Sequence, residues 1–70
     1  MIRQTVSSSN IHSIGYDQVN HILEIAFLSG GIYQYMGVPA AVYNALMSAA
    51  SKGSYFAHYI RDVYRTIKIA

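Results

Sequence analysis

The run HILEIAFL, residues 21–28, alternates: Leu23, Ile25 and Phe27 fall on one side, Ile22, Glu24, Ala26 and Leu28 on the other, where Glu24 marks the wetter face. That period of two belongs to a strand, because successive side chains of a pleated backbone point to opposite faces. Ser29, Gly30 and Gly31 follow, supplying residues that tolerate the positive φ of a tight reversal, and the β-branched and aromatic run IYQYM then resumes. A strand over 21–28, a turn and a strand over 32–37 make an antiparallel hairpin, and any fold for this chain must be built around it.

Loop length decides where Tyr33 and Tyr35 point. A two-residue loop, Ser29-Gly30 or Gly30-Gly31, puts both tyrosines on the face of Glu24 and Ala26. A three-residue loop, Ser29-Gly30-Gly31, instead pairs Tyr33 with Phe27 and Tyr35 with Ile25, toward a core. Glycine-rich turns of both lengths are common, so the register stays open. Two alternating tyrosines either pack with their hydroxyls reaching water or a partner group, or form a platform on which bases stack, each worth roughly 1–3 kcal/mol.

The flanks complete an α+β pattern. Residues 1–10, which carry the polar cluster SSSN, read as a loop or weak edge. IHSIGYD carries a first strand over 11–16 with Gly15 as its bulge, and Asp17 and Asn20 suit the turn after it. Pro39 fits a first helical position, and Val42, Leu46 and Ala49 recur at helical spacing through a helix over 39–51 that Gly53 ends. Ser54 serves as N-cap for a second helix to residue 64, with Phe56, Ile60 and Val63 on one stripe. RTIKIA alternates, as a short C-terminal strand or a frayed tail. The expected fold is a three-stranded antiparallel meander followed by two helices packed on one face. Its expected core is Leu23, Ile25, Phe27, Val42, Leu46, Phe56 and Ile60.

Seventy residues, 53% apolar and 11% charged, make one domain rather than a disordered chain. With no cysteine, a disulfide scaffold, a thiolate metal site and a cysteine nucleophile are all excluded. No apolar run approaches a membrane span and no targeting signal opens the chain, so a cytoplasmic protein is expected. His12, His21 and His58 lack metal-ligand spacing. Ser7 to Ser9, His12 and Asp17 show no nucleophile turn, and the glycine pair lacks the lysine and the strand-to-helix setting of a phosphate loop. Neither a catalytic residue, a metal, a cofactor nor a small-molecule substrate is evident; the expectation is a binding module and not an enzyme.

Net charge is +2, but Lys52, Arg61, Arg65 and Lys68 face only Asp62 in the second half. If the second helix continues, His58, Arg61 and Arg65 form a basic stripe on it that suits phosphate contact. Tyr43 and Met47, four apart on the first helix, offer either an apolar edge for a homodimer or closure of the core.

Three segments together resemble the KTSC domain, a module found at the C-terminus of some lysyl-tRNA synthetases and as stand-alone bacterial or phage-type proteins: SSNIHSIGYD, LEIAFLSGGIYQYMGVP and SKGSYFAHYIRDVY. Ser8, Asn10, Gly15 and Tyr16 match its opening motif, and Tyr33 and Tyr35 its central Tyr-x-Tyr. The resemblance implies RNA or tRNA as partner, read here through Tyr33, Tyr35, Arg61 and Arg65. Only Glu24 charges the strands of the hairpin, which gives weight to the alternative of a protein partner or a second copy.

Overall fold

The computed structural model describes residues 1–70. It contains β1 (Gln4–Thr5), β2 (Ile11–Asp17), β3 (Ile22–Phe27), β4 (Ile32–Met36), α1 (Ala40–Ser48), α2 (Lys52–Tyr59) and β5 (Arg65–Lys68). The strands form one antiparallel sheet in the order β1-β2-β3-β4-β5. The expected three-strand meander is therefore the centre of a five-stranded sheet. The polar N-terminal segment adds β1 at one edge, and the alternating tail adds β5 at the other after the two helices return the chain to the free side of β4.

The hairpin register pairs Ala26 with Ile32, Ile25 with Tyr33 and Leu23 with Tyr35. Phe27 N–H donates to the Gly31 carbonyl at 3.1 Å, closing a loop of odd length with Gly30 and Gly31 at φ 98 and 89. Odd parity holds, as in the three-residue alternative, but the loop begins at Leu28, so each tyrosine pairs two residues earlier than that alternative has it. Both tyrosines share a face with Leu23 and Ile25, beneath the helices.

That face carries the core: Ile11, Ile14, Leu23, Ile25 and Tyr35 from the sheet, Val38 from the connection, and Leu46, Phe56 and Ile60 from the helical half. Phe27 and Val42 pack against it half-buried. Ile11 and Ile14 both reach inward because the bulge lies between Ile11 and Ser13, at His12 and not at Gly15; one extra residue reverses the alternation. Gly15 pairs regularly with Glu24, and glycine is needed there because a Cβ would lie 2.8 Å from the Ile2 carbonyl oxygen.

The helices are shorter than their periodicity suggests. Pro39 is the N-cap of α1, and Ala49, with φ −66 and ψ 138, ends it in extended conformation. Ser51 and not Ser54 caps α2, accepting from Ser54 N–H at 3.3 Å. Gly53 lies inside the first turn of α2, where a Cβ would collide with the Asn10 side chain, so it permits close packing of the SSSN loop and does not stop a helix. Beyond Tyr59 the backbone leaves the helix at Ile60, and Asp62 takes φ 64.

Glu24, expected to mark a wet face, is only 5% exposed. The N-terminal arm crosses that face: Arg3 Nη1 donates to Glu24 Oε2 at 2.5 Å and Arg3 Nε to Ser13 Oγ at 3.2 Å. Gln34 Nε2 donates to the other Glu24 oxygen at 2.9 Å. Burial pushes the Glu24 carboxyl up, but the hydrogen bonds from Gln34 and Arg3 and the guanidinium charge outweigh it and hold it below the ordinary carboxylate range.

Candidate functional site

Four rings run edge-to-face across the helix-covered side of the sheet: Tyr33 on Phe27 at 5.7 Å, Phe27 on Phe56 at 5.4 Å, and Phe56 on Tyr35 at 5.4 Å between centroids. Edge-to-face geometry sets the positive rim of one ring against the negative face of the next. Phe56 and Tyr35 are buried, whereas Phe27 and Tyr33 are half-buried at the margin. The rings make one side of a cleft of about 400 Å³.

Its other side comes from the segment after α2. The left-handed turn at Asp62 lets the chain reverse into β5, so that Arg61 and Asp62 line the cleft together with Thr66, the partner of Tyr35. Ser29 and Gly30 of the hairpin loop close one end. Lys68 pairs with Tyr33, and its Nζ lies 6.0 Å from that ring's centroid, a cation–π distance.

Burial raises the Tyr35 hydroxyl to about 12, with Tyr33 and Asp62 adding to the shift and Arg61 opposing it. Tyr35 therefore stays protonated and presents a neutral hydroxyl. Thr66 Oγ1 donates to the Tyr64 carbonyl at 3.1 Å. Aromatic surface, a guanidinium, a carboxylate and hydroxyls converge here, which suits a planar group that both donates and accepts hydrogen bonds.

Of the residues expected at a site, Tyr33, Tyr35 and Arg61 come together and Arg65 does not. Arg65 pairs with Met36, and strand alternation puts it on the opposite face of the sheet, with Gln34 and Glu24. The basic helical stripe of His58, Arg61 and Arg65 does not form, because α2 ends at Tyr59. Lys68, Asp62, Thr66 and Phe27 are among the lining and rim residues that sequence reasoning did not assign to a site. Reading RTIK as a strand would have put Thr66 and Lys68 on one face and Arg65 on the other.

Tyr43 and Met47 close onto the core: both are half-buried, and Tyr43 stacks on Tyr16 at 4.6 Å between centroids. Tyr16 in turn donates its hydroxyl to the Val38 carbonyl at 2.6 Å. The histidines make local contacts, His12 Nδ1 with Ser13 Oγ at 3.0 Å and His58 Nδ1 with the Ser54 carbonyl at 2.8 Å. No helix is long and apolar enough to cross a membrane.

Residues 7–64 match the KTSC domain. The chain belongs to the KTSC domain family. A KTSC domain protein of Yersinia pestis, known from its crystal structure, superposes with a TM-score of 0.96 at 49% identity, over 99% of this chain and 97% of that one. A protein of Stutzerimonas stutzeri is 45% identical over 56 residues, 80% of this chain and 79% of its own. A lysine–tRNA ligase of Nostoc punctiforme is 37% identical over 57 residues, which span 81% of this chain but 10% of the ligase. Within this KTSC domain the match takes in Phe27, Tyr33, Tyr35, Arg61 and Asp62 and stops before Thr66 and Lys68.

Proposed function

We propose that this KTSC domain is a non-catalytic module that binds single-stranded RNA at the cleft. Phe27 and Tyr33 meet a base there, Arg61 stands beside it in the cleft lining, and Lys68 attracts the backbone from the rim. The juxtaposition of a half-buried aromatic pair with two cations carries this reading. Similarity to a lysine–tRNA ligase supports it, since that enzyme acts on RNA. Tyr35, only 4% exposed, supports the site from below and is not a stacking platform.

Titration of short single-stranded RNA at two salt concentrations tests the proposal. Tyr33→Ala should weaken binding roughly 5- to 150-fold, the worth of one stacked base, with an unchanged circular dichroism spectrum. Lys68→Ala should reduce the salt slope by about 0.7, one single-strand phosphate contact. Absence of saturable binding by the folded wild type at low salt would end this reading.

A second reading, docking of a protein or a second copy, draws on Ile67 and Ile69, alternate residues at the C-terminal edge that leave large apolar side chains exposed. Sedimentation equilibrium on the same samples distinguishes it, because self-association without RNA binding would favour that surface over the cleft.

A further inference from the structure

Arg61 and Asp62 are adjacent in sequence and line the same cleft, yet they do not pair. The ion pair in this structure is Arg3 with Glu24, on the far side of the sheet. Both cleft residues are exposed, and neither side chain has a hydrogen-bond partner within the chain. An unpaired guanidinium and an unpaired carboxylate beside an aromatic wall define what can fill the space. A phosphate is repelled by the carboxylate. A purely apolar group would leave both charges desolvated without partners, which is unfavourable.

We infer that the cleft selects guanine from a single-stranded RNA, an inference that rests on the RNA reading above. Guanine presents two adjacent N–H donors, at N1 and N2, which match the two oxygens of one carboxylate. Its O6 and N7 on the neighbouring edge are the acceptor pair that a guanidinium grips bidentately. Adenine has no ring N–H on its pairing edge, cytosine offers one amino group, and uracil one ring N–H between two carbonyls. None of these three presents a two-donor face to Asp62 and a two-acceptor face to Arg61 together. Tyr33 and Phe27 supply the flat surface such a base needs, and the lysine on Tyr33 remains free for the backbone.

The test is a comparison of four RNA pentamers, UUGUU, UUAUU, UUCUU and UUUUU, titrated against the wild-type chain by fluorescence anisotropy at low salt. The guanine pentamer should bind roughly tenfold or more tighter than the others, the scale of a bidentate base contact. Asp62→Asn is the companion variant, since asparagine is tolerated at the positive φ of this position and the turn into β5 is kept. It should cut the guanine preference severalfold, with the Arg61 contact to O6 and N7 left in place, while leaving or strengthening binding of the other three, because a charge that opposes phosphate is gone. Equal binding of all four pentamers, or preference for another base, overturns the guanine inference and leaves the RNA reading standing. An undiminished guanine preference in folded Asp62→Asn overturns it equally. If no pentamer binds, both readings fall. Should Asp62→Asn lose its circular dichroism signal, Asp62→Gly serves in its place, and the wild-type comparison still decides the preference.

Discussion

Replacing Arg3 by alanine removes two charge-assisted contacts at once, the donation to Glu24 and the donation to Ser13. Glu24, 5% exposed in the wild type, then keeps Gln34 as its remaining side-chain donor. Breaking a buried ion pair by deleting one partner costs about 3–5 kcal/mol, since the survivor is an uncompensated buried charge. The Arg3 side chain is 32% exposed, so water recovers part of this, and about 2–3 kcal/mol is expected. A chain of this size has a total stability of about 4–10 kcal/mol, so the loss is a large share and lowers the melting temperature by roughly 10–20 °C. The pH dependence has a definite sign. In the wild type the folded Glu24 carboxyl lies below its ordinary range, so its contribution is present above the unfolded value, about 4.3, and is lost as pH falls through the depressed folded value. Without Arg3, burial has less to oppose it and the folded carboxyl rises. The stability gap between wild type and variant is therefore widest near neutral pH and narrows on acidification as the carboxyl becomes neutral. Urea unfolding followed by circular dichroism at about pH 7 and about pH 4 reads this gap. A gap below about 0.5 kcal/mol at neutral pH would show Arg3 to be an ordinary surface ion pair, and a gap unchanged by acid would show that Glu24 is not its origin.

Two further outcomes concern the core and its close contacts. Tyr35→Ala should cost about 3–5 kcal/mol, as for other buried aromatics, and Tyr33→Ala clearly less; equal losses in urea unfolding would contradict the division between buried and marginal rings. Gly53→Ala should destabilise the chain even though alanine favours a helix over glycine by about 1 kcal/mol, because the new Cβ meets Asn10. In an Asn10→Ser background the same change should cost less or become stabilising, and thermal melts showing no such coupling would remove the close-approach account.

The alternation of residues 22–27 and 32–36 made the central hairpin and most of the core readable, since Leu23, Ile25, Leu46, Phe56 and Ile60 are all buried. The facing of Tyr33 and Tyr35 was not readable, because Leu28 joins the loop and no local residue preference chooses between an even and an odd turn. Glu24 looked like a solvent marker because its partner, Arg3, lies on another strand-forming segment and is joined to it only by tertiary structure. Helical spacing carried the second helix too far: Phe56, Ile60 and Val63 keep the period, but the backbone leaves the helix at Ile60 and Asp62 then turns left-handed. The cleft was half legible. Tyr33, Tyr35 and Arg61 stood out by residue type, whereas Asp62, Thr66 and Lys68 reach it through a chain reversal and a pairing across residues 37–64.

That pairing has a consequence for the order in which the molecule closes. The strands β1 to β4 join through local connections, but β4 meets β5 only after residues 37–64 have folded back over the sheet. Closing so long a segment costs about 2 kcal/mol more in chain entropy than closing the short β3–β4 turn, because the cost grows with the logarithm of length. Packing of Leu46, Phe56 and Ile60 must offset this before β5 can dock. The cleft spans this last seam, with Phe27, Tyr33 and Tyr35 on the early hairpin and Arg61, Asp62 and Thr66 on the late segment. A molecule bridging the two sides binds the zipped chain and not the unzipped one, so its affinity and the docking of the final strand are a single linked equilibrium.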